Sequence, residues 1–161
     1  MKNITMNKVL IALDYNPTAQ KIAEVGFSLA KGMGANIYLL HVVSDQAAYT
    51  PVSYDPIMGY SGYIGVDVMQ PKYIDELKKS SLDFLNKTKE HLGDANIQTI
   101  VKVGDYSEMI LEAATEIKAD IIIMGSHSRK WLEKILMGST TENVLHSISI
   151  PLLIVPTGKK K

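Results

Sequence analysis

Three short stretches of this chain are apolar throughout, Val9 to Leu13, Ile121 to Met124 and Leu152 to Val155; a fourth, Ile37 to Val43, is broken only by His41. A strand with one wet face alternates apolar and polar side chains. An unbroken apolar run is what a strand buried on both faces requires. Between the runs, apolar residues recur at helical spacing. The first such set is Ala19, Ile22, Ala23, Gly26, Leu29, Ala30 and Met33; the second is Ile74, Leu77, Ser81, Phe84, Leu85, Thr88 and Leu92; the third is Tyr106, Met109, Ile110, Ala113, Ala114 and Ile117. Ile97 to Val103 adds a strand in which Ile100 and Val103 stand among polar neighbours. Strands alternating with helices predict a parallel sheet covered on both faces, and right-handed crossovers leave few ways to wind it. The expected fold is α/β, a doubly wound five-stranded parallel sheet of order 3-2-1-4-5 with helices on both faces, as one domain over residues 1–161. Its ligand crevice would lie at the carboxyl ends of the strands, where the strand order reverses.

Local signals set the element ends. Gly32 and Gly34 close the first helix, Gly93 stops the second, and Gly104 ends the third strand, with Asp105 as the cap of the next helix. Asp120 to Met124 reads as the fourth strand and Ile150 to Val155 as the last, with Pro151 near its start and Pro156 at its end. Residues 44–70 break the rhythm: Pro51, Pro56, Gly59, Gly62 and Gly65 occur among four tyrosines, Tyr49, Tyr54, Tyr60 and Tyr63. This predicts a long loop, of the kind usually functional or mobile.

Composition excludes several classes of function. The formal net charge is zero, and lysines are scattered rather than gathered into the basic stripe of a nucleic-acid binder. The tail Lys159-Lys160-Lys161 is too short to argue otherwise. Cysteine is absent, which removes disulfides, thiolate metal sites and a cysteine nucleophile, and fits a reducing, cytoplasmic setting. The four histidines, His41, His91, His127 and His146, show no metal spacing. The apolar run at Val9 is too short for a signal peptide, and no segment is long enough to span a membrane.

The stretch after the fourth strand carries the chemistry. Gly125 follows an apolar run, at a point where the backbone is expected to turn sharply. The only arginine and the only tryptophan, Arg129 and Trp131, come next, and Gly138 precedes Ser139-Thr140-Thr141-Glu142. Ser139 and Glu142 have the spacing of a capping box, with Ser139 as the N-cap. A helix start offers free backbone N–H groups and the positive end of a dipole; glycines and hydroxyls around it suit a phosphate. In the 3-2-1-4-5 order, Asp14 at the end of the first strand faces this loop across the crevice.

These segments together resemble the universal stress proteins of the single-domain type. The resemblance runs through Lys8 to Asp14, Leu39-Leu40-His41-Val42, Val103-Gly104-Asp105, Ala119 to His127 and Pro151 to Val155, nearly the whole chain. It implies a homodimer and, in the nucleotide-binding branch, ATP held through Gly-x2-Gly-x9-Gly-[Ser/Thr]. Gly125 fills the first position and Gly138-Ser139 the last two, while Ser128 replaces the second glycine. Where φ is positive, a serine there is strained by about 1–2 kcal/mol; where φ is negative, it costs little and adds a hydroxyl donor.

The nucleotide contacts implied by the resemblance are Ala12, Leu13 and Asp14 on the first strand and Val42 on the second. Gly104 joins them before the third helix. Met124, Gly125, His127, Ser128 and Arg129 supply the loop, and Gly138, Ser139, Thr140 and Thr141 the start of the last helix. Several also have plain structural readings. Asp14 can cap the first helix, Gly104 can serve only the turn, Ser139 caps its helix in either case, and Arg129 and Lys130 can be surface charges. His41, in an apolar strand, reads as a packed core side chain.

The functional expectation is an adenine-nucleotide-binding regulatory protein of the stress response, taking ATP or another adenine nucleotide with or without Mg²⁺. It would act as a homodimer through the last strand, with a protein partner the sequence does not identify and with neither nucleic acid nor membrane as partner. The alternatives are a nucleotide-free interaction module and a nucleotide-cleaving enzyme, an ATPase or ligase. The enzyme reading wants a convergent base and a second-substrate site. Beyond Asp14 the chain offers no such set, so at most slow ATP hydrolysis is expected.

Overall fold

The computed structural model describes residues 4–44, 71–126 and 139–157. In chain order its elements are β1 (Lys8–Leu13), α1 (Ala19–Met33), β2 (Asn36–Val43), α2 (Pro71–Leu92), β3 (Gln98–Val103), α3 (Tyr106–Ile117), β4 (Ile121–Ser126), α4 (Ser139–Ser147) and β5 (Leu152–Pro156). The sheet has five strands in the order β3-β2-β1-β4-β5, and each neighbouring pair is parallel. This is the doubly wound topology predicted from the apolar runs.

The two-residue period of a strand divides the runs between two cores. Val9, Ile11 and Leu13 of β1 pack with Ile37 and Leu39 of β2 against Ile22, Ala23 and Ala30 of α1 and Leu85 of α2. Leu10, Leu40, Val42, Ile122 and Met124 point the other way, onto Ile110, Ala113 and Ala114 of α3 and Val144 of α4. Leu10, Ile11, Leu39, Leu40, Ile122 and Ile123 are fully buried, and burying each side chain contributes about 1.5–3 kcal/mol. Helices α1 and α2 thus lie on one face and α3 and α4 on the other, which is what right-handed crossovers require for this strand order.

Some boundaries differ from the sequence reading. Gly32 stays inside α1, and only Gly34, in the left-handed conformation, caps it. Leu29 and Met33 are exposed, not core, because Ile22, Ala23, Gly26 and Ala30 already fill the face turned to the sheet. β4 does not turn at Gly125. It continues to Ser126, with Gly125 paired to Val155 and Ser126 to Pro156. β5 begins at Leu152, after Pro151, whose carbonyl accepts from Ile122 N–H at 3.0 Å. Ser139 is the first helical residue of α4 rather than its cap. Asp105 caps α3 as expected, accepting from Glu108 N–H at 3.0 Å. Of the segments singled out in the sequence, loop residues 45–70, His127, Ser128, Arg129, Trp131, Gly138 and the lysine tail lie outside the described residues.

Candidate functional site

Parallel strands end on the same side, and the ends of β1, β2 and β4 open there into a cleft of about 1120 Å³. Its two sides have different characters because successive residues face opposite ways. Toward α3 and α4, Leu40, Val42, Ile110 and Met124 make an apolar chamber. All four are buried. Toward α2, the lining is Tyr15, His41, Leu77 and Ser81.

The hydroxyl-bearing start of α4 closes one end. Ser139, Thr140 and Thr141 all line the cleft. Thr141 is 1 % exposed, and its Oγ1 donates to the Gly125 carbonyl at 3.1 Å, which ties the helix start to β4. The first-turn N–H groups of a helix have no intrahelical partners and carry the positive end of its dipole. Ser126 continues the link on the other side of Gly125, where Thr157 Oγ1 donates to its carbonyl.

Gly125 lines the cleft, yet its want of a side chain has a packing cause. A Cβ there would stand 2.4 Å from Ile22 Cδ1 and 3.0 Å from Thr157 Cγ2. Gly104 stands outside the cleft lining. Its φ of 150° is strained for other residues, and its N–H donates to Val43 O at 3.0 Å. It sets the turn from β3 into α3.

Asp14 follows β1 at the cleft floor, and its Oδ1 accepts from Asn16 N–H at 3.1 Å. Asn16 in turn accepts from Thr18 N–H and Thr18 Oγ1, so Asn16, not Asp14, steers the start of α1. Leu13 pairs with His41 across β1 and β2, which brings the neighbouring Asp14 carboxylate near that imidazole. His41 is packed as a core side chain, as the sequence predicted: 4 % exposed, with ring centroids 4.4 Å from Tyr15 and 5.7 Å from Phe84. It also lines the cleft, and its Nδ1 has no hydrogen-bond partner among the described residues. Burial holds its pKa below the usual histidine value, opposed by the Asp14 carboxylate. Tyr15 bonds Ser81 through its hydroxyl at 3.0 Å. Ser81 donates its own proton to Leu77 O at 2.8 Å, so Tyr15 is the donor of that pair.

Of the predicted contacts, Ala12, Leu13, Asp14, Val42, Met124, Gly125, Ser139, Thr140 and Thr141 therefore line one cleft, whereas Gly104 does not. His127, Ser128, Arg129 and Gly138 lie outside the described residues. Sequence reasoning did not single out Tyr15, Leu40, Tyr106 or Ile110 as cleft residues. The available signal was the four-residue spacing of Tyr106 and Ile110 directly after the Asp105 cap. No group of three or more histidine, aspartate or glutamate side chains placed to hold a metal occurs among the described residues. No described helix is long and apolar enough to cross a membrane.

The family model described as "Universal stress protein family" matches residues 5–156. Universal stress protein A homolog 2 of Coxiella burnetii is 32% identical over 149 residues, 92% of this chain and 93% of that protein. Universal stress protein MJ0577 of Methanocaldococcus jannaschii is 29% identical over 157 residues, 95% of this chain and 96% of that one. The solved structure of MJ0577 superposes with a TM-score of 0.75 at 25% identity, covering 98% of this chain and 100% of the other. A universal stress protein solved in complex with cAMP has the same fold, with a TM-score of 0.63 at 19% identity over 96% of this chain and 100% of its own.

Proposed function

The chain belongs to the universal stress protein family, and from that membership we propose that it is a regulatory protein of the stress response that binds ATP or another adenine nucleotide and acts as a homodimer through β5. The observation that carries the nucleotide reading is the two-sided cleft. An apolar chamber of Leu40, Val42, Ile110 and Met124 adjoins the hydroxyl-bearing start of α4 at Ser139, Thr140 and Thr141. A nucleotide has the same two parts, a flat apolar base and an anionic phosphate chain. Asp14, on the floor between them, is suited to accept from ribose hydroxyls. The relative solved with cAMP carries ligand chemistry of this class, which supports adenine over an unrelated anion.

The dimer reading rests on the sheet edge. β5 is the last strand on its side, and Leu152, Leu153 and Ile154 are only half-buried. An apolar edge with unpaired backbone groups invites pairing with another chain, and a two-fold axis lets one strand meet its own copy. Turnover is expected to be slow or absent, since beyond Asp14 no general base stands beside the phosphate end among the described residues.

Denaturing the purified protein and identifying any released small molecule by mass tests the reading, together with calorimetric titration by ATP with and without Mg²⁺. Release or binding of an adenine nucleotide is expected. No nucleotide released and no ATP bound would refute it and leave a ligand-free interaction module.

A further inference from the structure

The apolar stripe of α3 runs beyond the sheet that covers it. Ile110, Ala113 and Ala114 of that stripe are buried against Leu10, Leu40 and Ile122. Tyr106 stands one turn before Ile110, at the four-residue spacing that places two side chains on one helix face. It lines the same cleft as Ile110, yet it is 46% exposed and makes no hydrogen bond or ring contact among the described residues. Tyr15, the other exposed tyrosine at the cleft, differs in being tied to Ser81 and packed on His41 and Phe84.

The backbone beneath Tyr106 is fixed on both sides. Gly104 N–H bonds the last carbonyl of β2, at Val43. Asp105 accepts from Ser107 Oγ at 2.6 Å and from Glu108 N–H at 3.0 Å, bonds that also hold its carboxyl below the usual range. The backbone therefore places a large ring at the cleft beside an apolar chamber, and no described side chain is hydrogen-bonded to it or stacked on it. With the backbone fixed, only the two side-chain torsions of a tyrosine remain to be ordered on binding, a small cost against its large contact area.

Resting on the adenine-nucleotide reading above, we propose that Tyr106 is a specificity-determining residue that stacks on the planar base of a ligand seated in the chamber of Leu40, Val42, Ile110 and Met124. The ring's π-face favours a flat heterocycle over a sugar or an aliphatic group of equal size. The phosphate end, at α4, is bound independently of it.

The test is calorimetric titration of the wild type, Tyr106→Ala, Tyr106→Leu and Tyr106→Phe with ATP, and with inorganic tripolyphosphate as a competitor that lacks the base. Tyr106→Ala is expected to weaken ATP by about 5–150-fold, the loss typical of a base–aromatic stack. Tyr106→Leu should fall between it and the wild type. Tyr106→Phe should stay within about twofold, and tripolyphosphate should be held alike by all four. ATP binding unchanged in Tyr106→Ala, or ATP and tripolyphosphate weakened in equal proportion, would overturn the stacking role alone. A wild-type protein that takes tripolyphosphate but not ATP, or neither, would overturn the adenine reading and Tyr106's part in it together. Thermal melts of each variant guard against misfolding, which the exposed position of Tyr106 does not favour.

Discussion

Gly125 separates two explanations of one residue. As a member of the phosphate motif it would be needed for close backbone approach by a ligand; in the fold it is needed because α1 presses on β4. Replacing it with alanine puts a Cβ 2.4 Å from Ile22 Cδ1 and 3.0 Å from Thr157 Cγ2, where carbon atoms prefer about 3.5–4.0 Å. Ile22 is 1% exposed, so its terminal methyl must move by about an ångström inside a packed core. Overpacking of that kind costs about 1–3 kcal/mol. Alanine recovers about 0.5–1 kcal/mol of the entropy that glycine loses in a strand. The expected net loss for Gly125→Ala is up to about 2.5 kcal/mol, read as a lower urea midpoint at unchanged slope. Ile22→Val removes the nearest methyl and alone costs about 0.5–1.5 kcal/mol. On that background Gly125→Ala should cost at least about 1 kcal/mol less, a coupling large enough for a double-mutant cycle to detect. Equal cost on both backgrounds would refute the packing explanation. Unchanged stability with lost ATP binding would return Gly125 to the ligand.

Three further outcomes are expected. If the chain pairs through β5 as proposed, Leu153→Lys should give monomers or insoluble protein, and a wild-type chain that sediments as a monomer at tens of micromolar would rule out that pairing. His41 titrates below the ordinary histidine value of 6.5, so the unfolded chain takes up its proton first as pH falls. The stability tied to the neutral ring is complete above 6.5 and drains as pH drops through the lowered value. Urea midpoints measured from neutral to acid pH should therefore fall less steeply in His41→Leu than in the wild type, and parallel profiles would refute this. If Ser128 occupies a negative-φ position, Ser128→Gly should change ATP affinity by well under tenfold, or about 1.4 kcal/mol; a much larger gain on titration would mean that the serine strains the phosphate loop.

Fold and site were legible in the sequence to different depths. Unbroken apolar runs identify β1 and β4, and a run interrupted only by His41 identifies β2, because strands buried on both faces have no reason to alternate; right-handed crossovers narrow the strand order to a few, of which the doubly wound one is the natural solution. Asp105 was legible as a cap because its side chain acts within three residues of itself. Gly125 was misread because a glycine after a strand signals a turn only when nothing else needs the space. The need here comes from Ile22, far away in sequence and on another element. The cleft's α2 side was hidden for the same reason. Tyr15, His41 and Ser81 meet through the pairing of β1 with β2 and the packing of α2, and no local pattern encodes that meeting. The convergence of strand ends and a helix start in a sheet of this order points to Asp14 and the start of α4, while the other floor and end residues, such as Ala12 and Val42, are named because the resemblance to the universal stress proteins implies them.

The bond from Thr141 Oγ1 to the Gly125 carbonyl bears on how such a protein can diversify. It pins the start of α4 to β4 directly, so the position of that helix does not depend on the chain that joins them. Doubling the length of a flexible connector adds only about 0.6 kcal/mol of closure entropy. Residues 127–138 can thus lengthen, shorten or change composition while the hydroxyl-bearing start of α4 keeps its place. Grafting this segment between relatives should therefore leave the sheet and the start of α4 undisturbed.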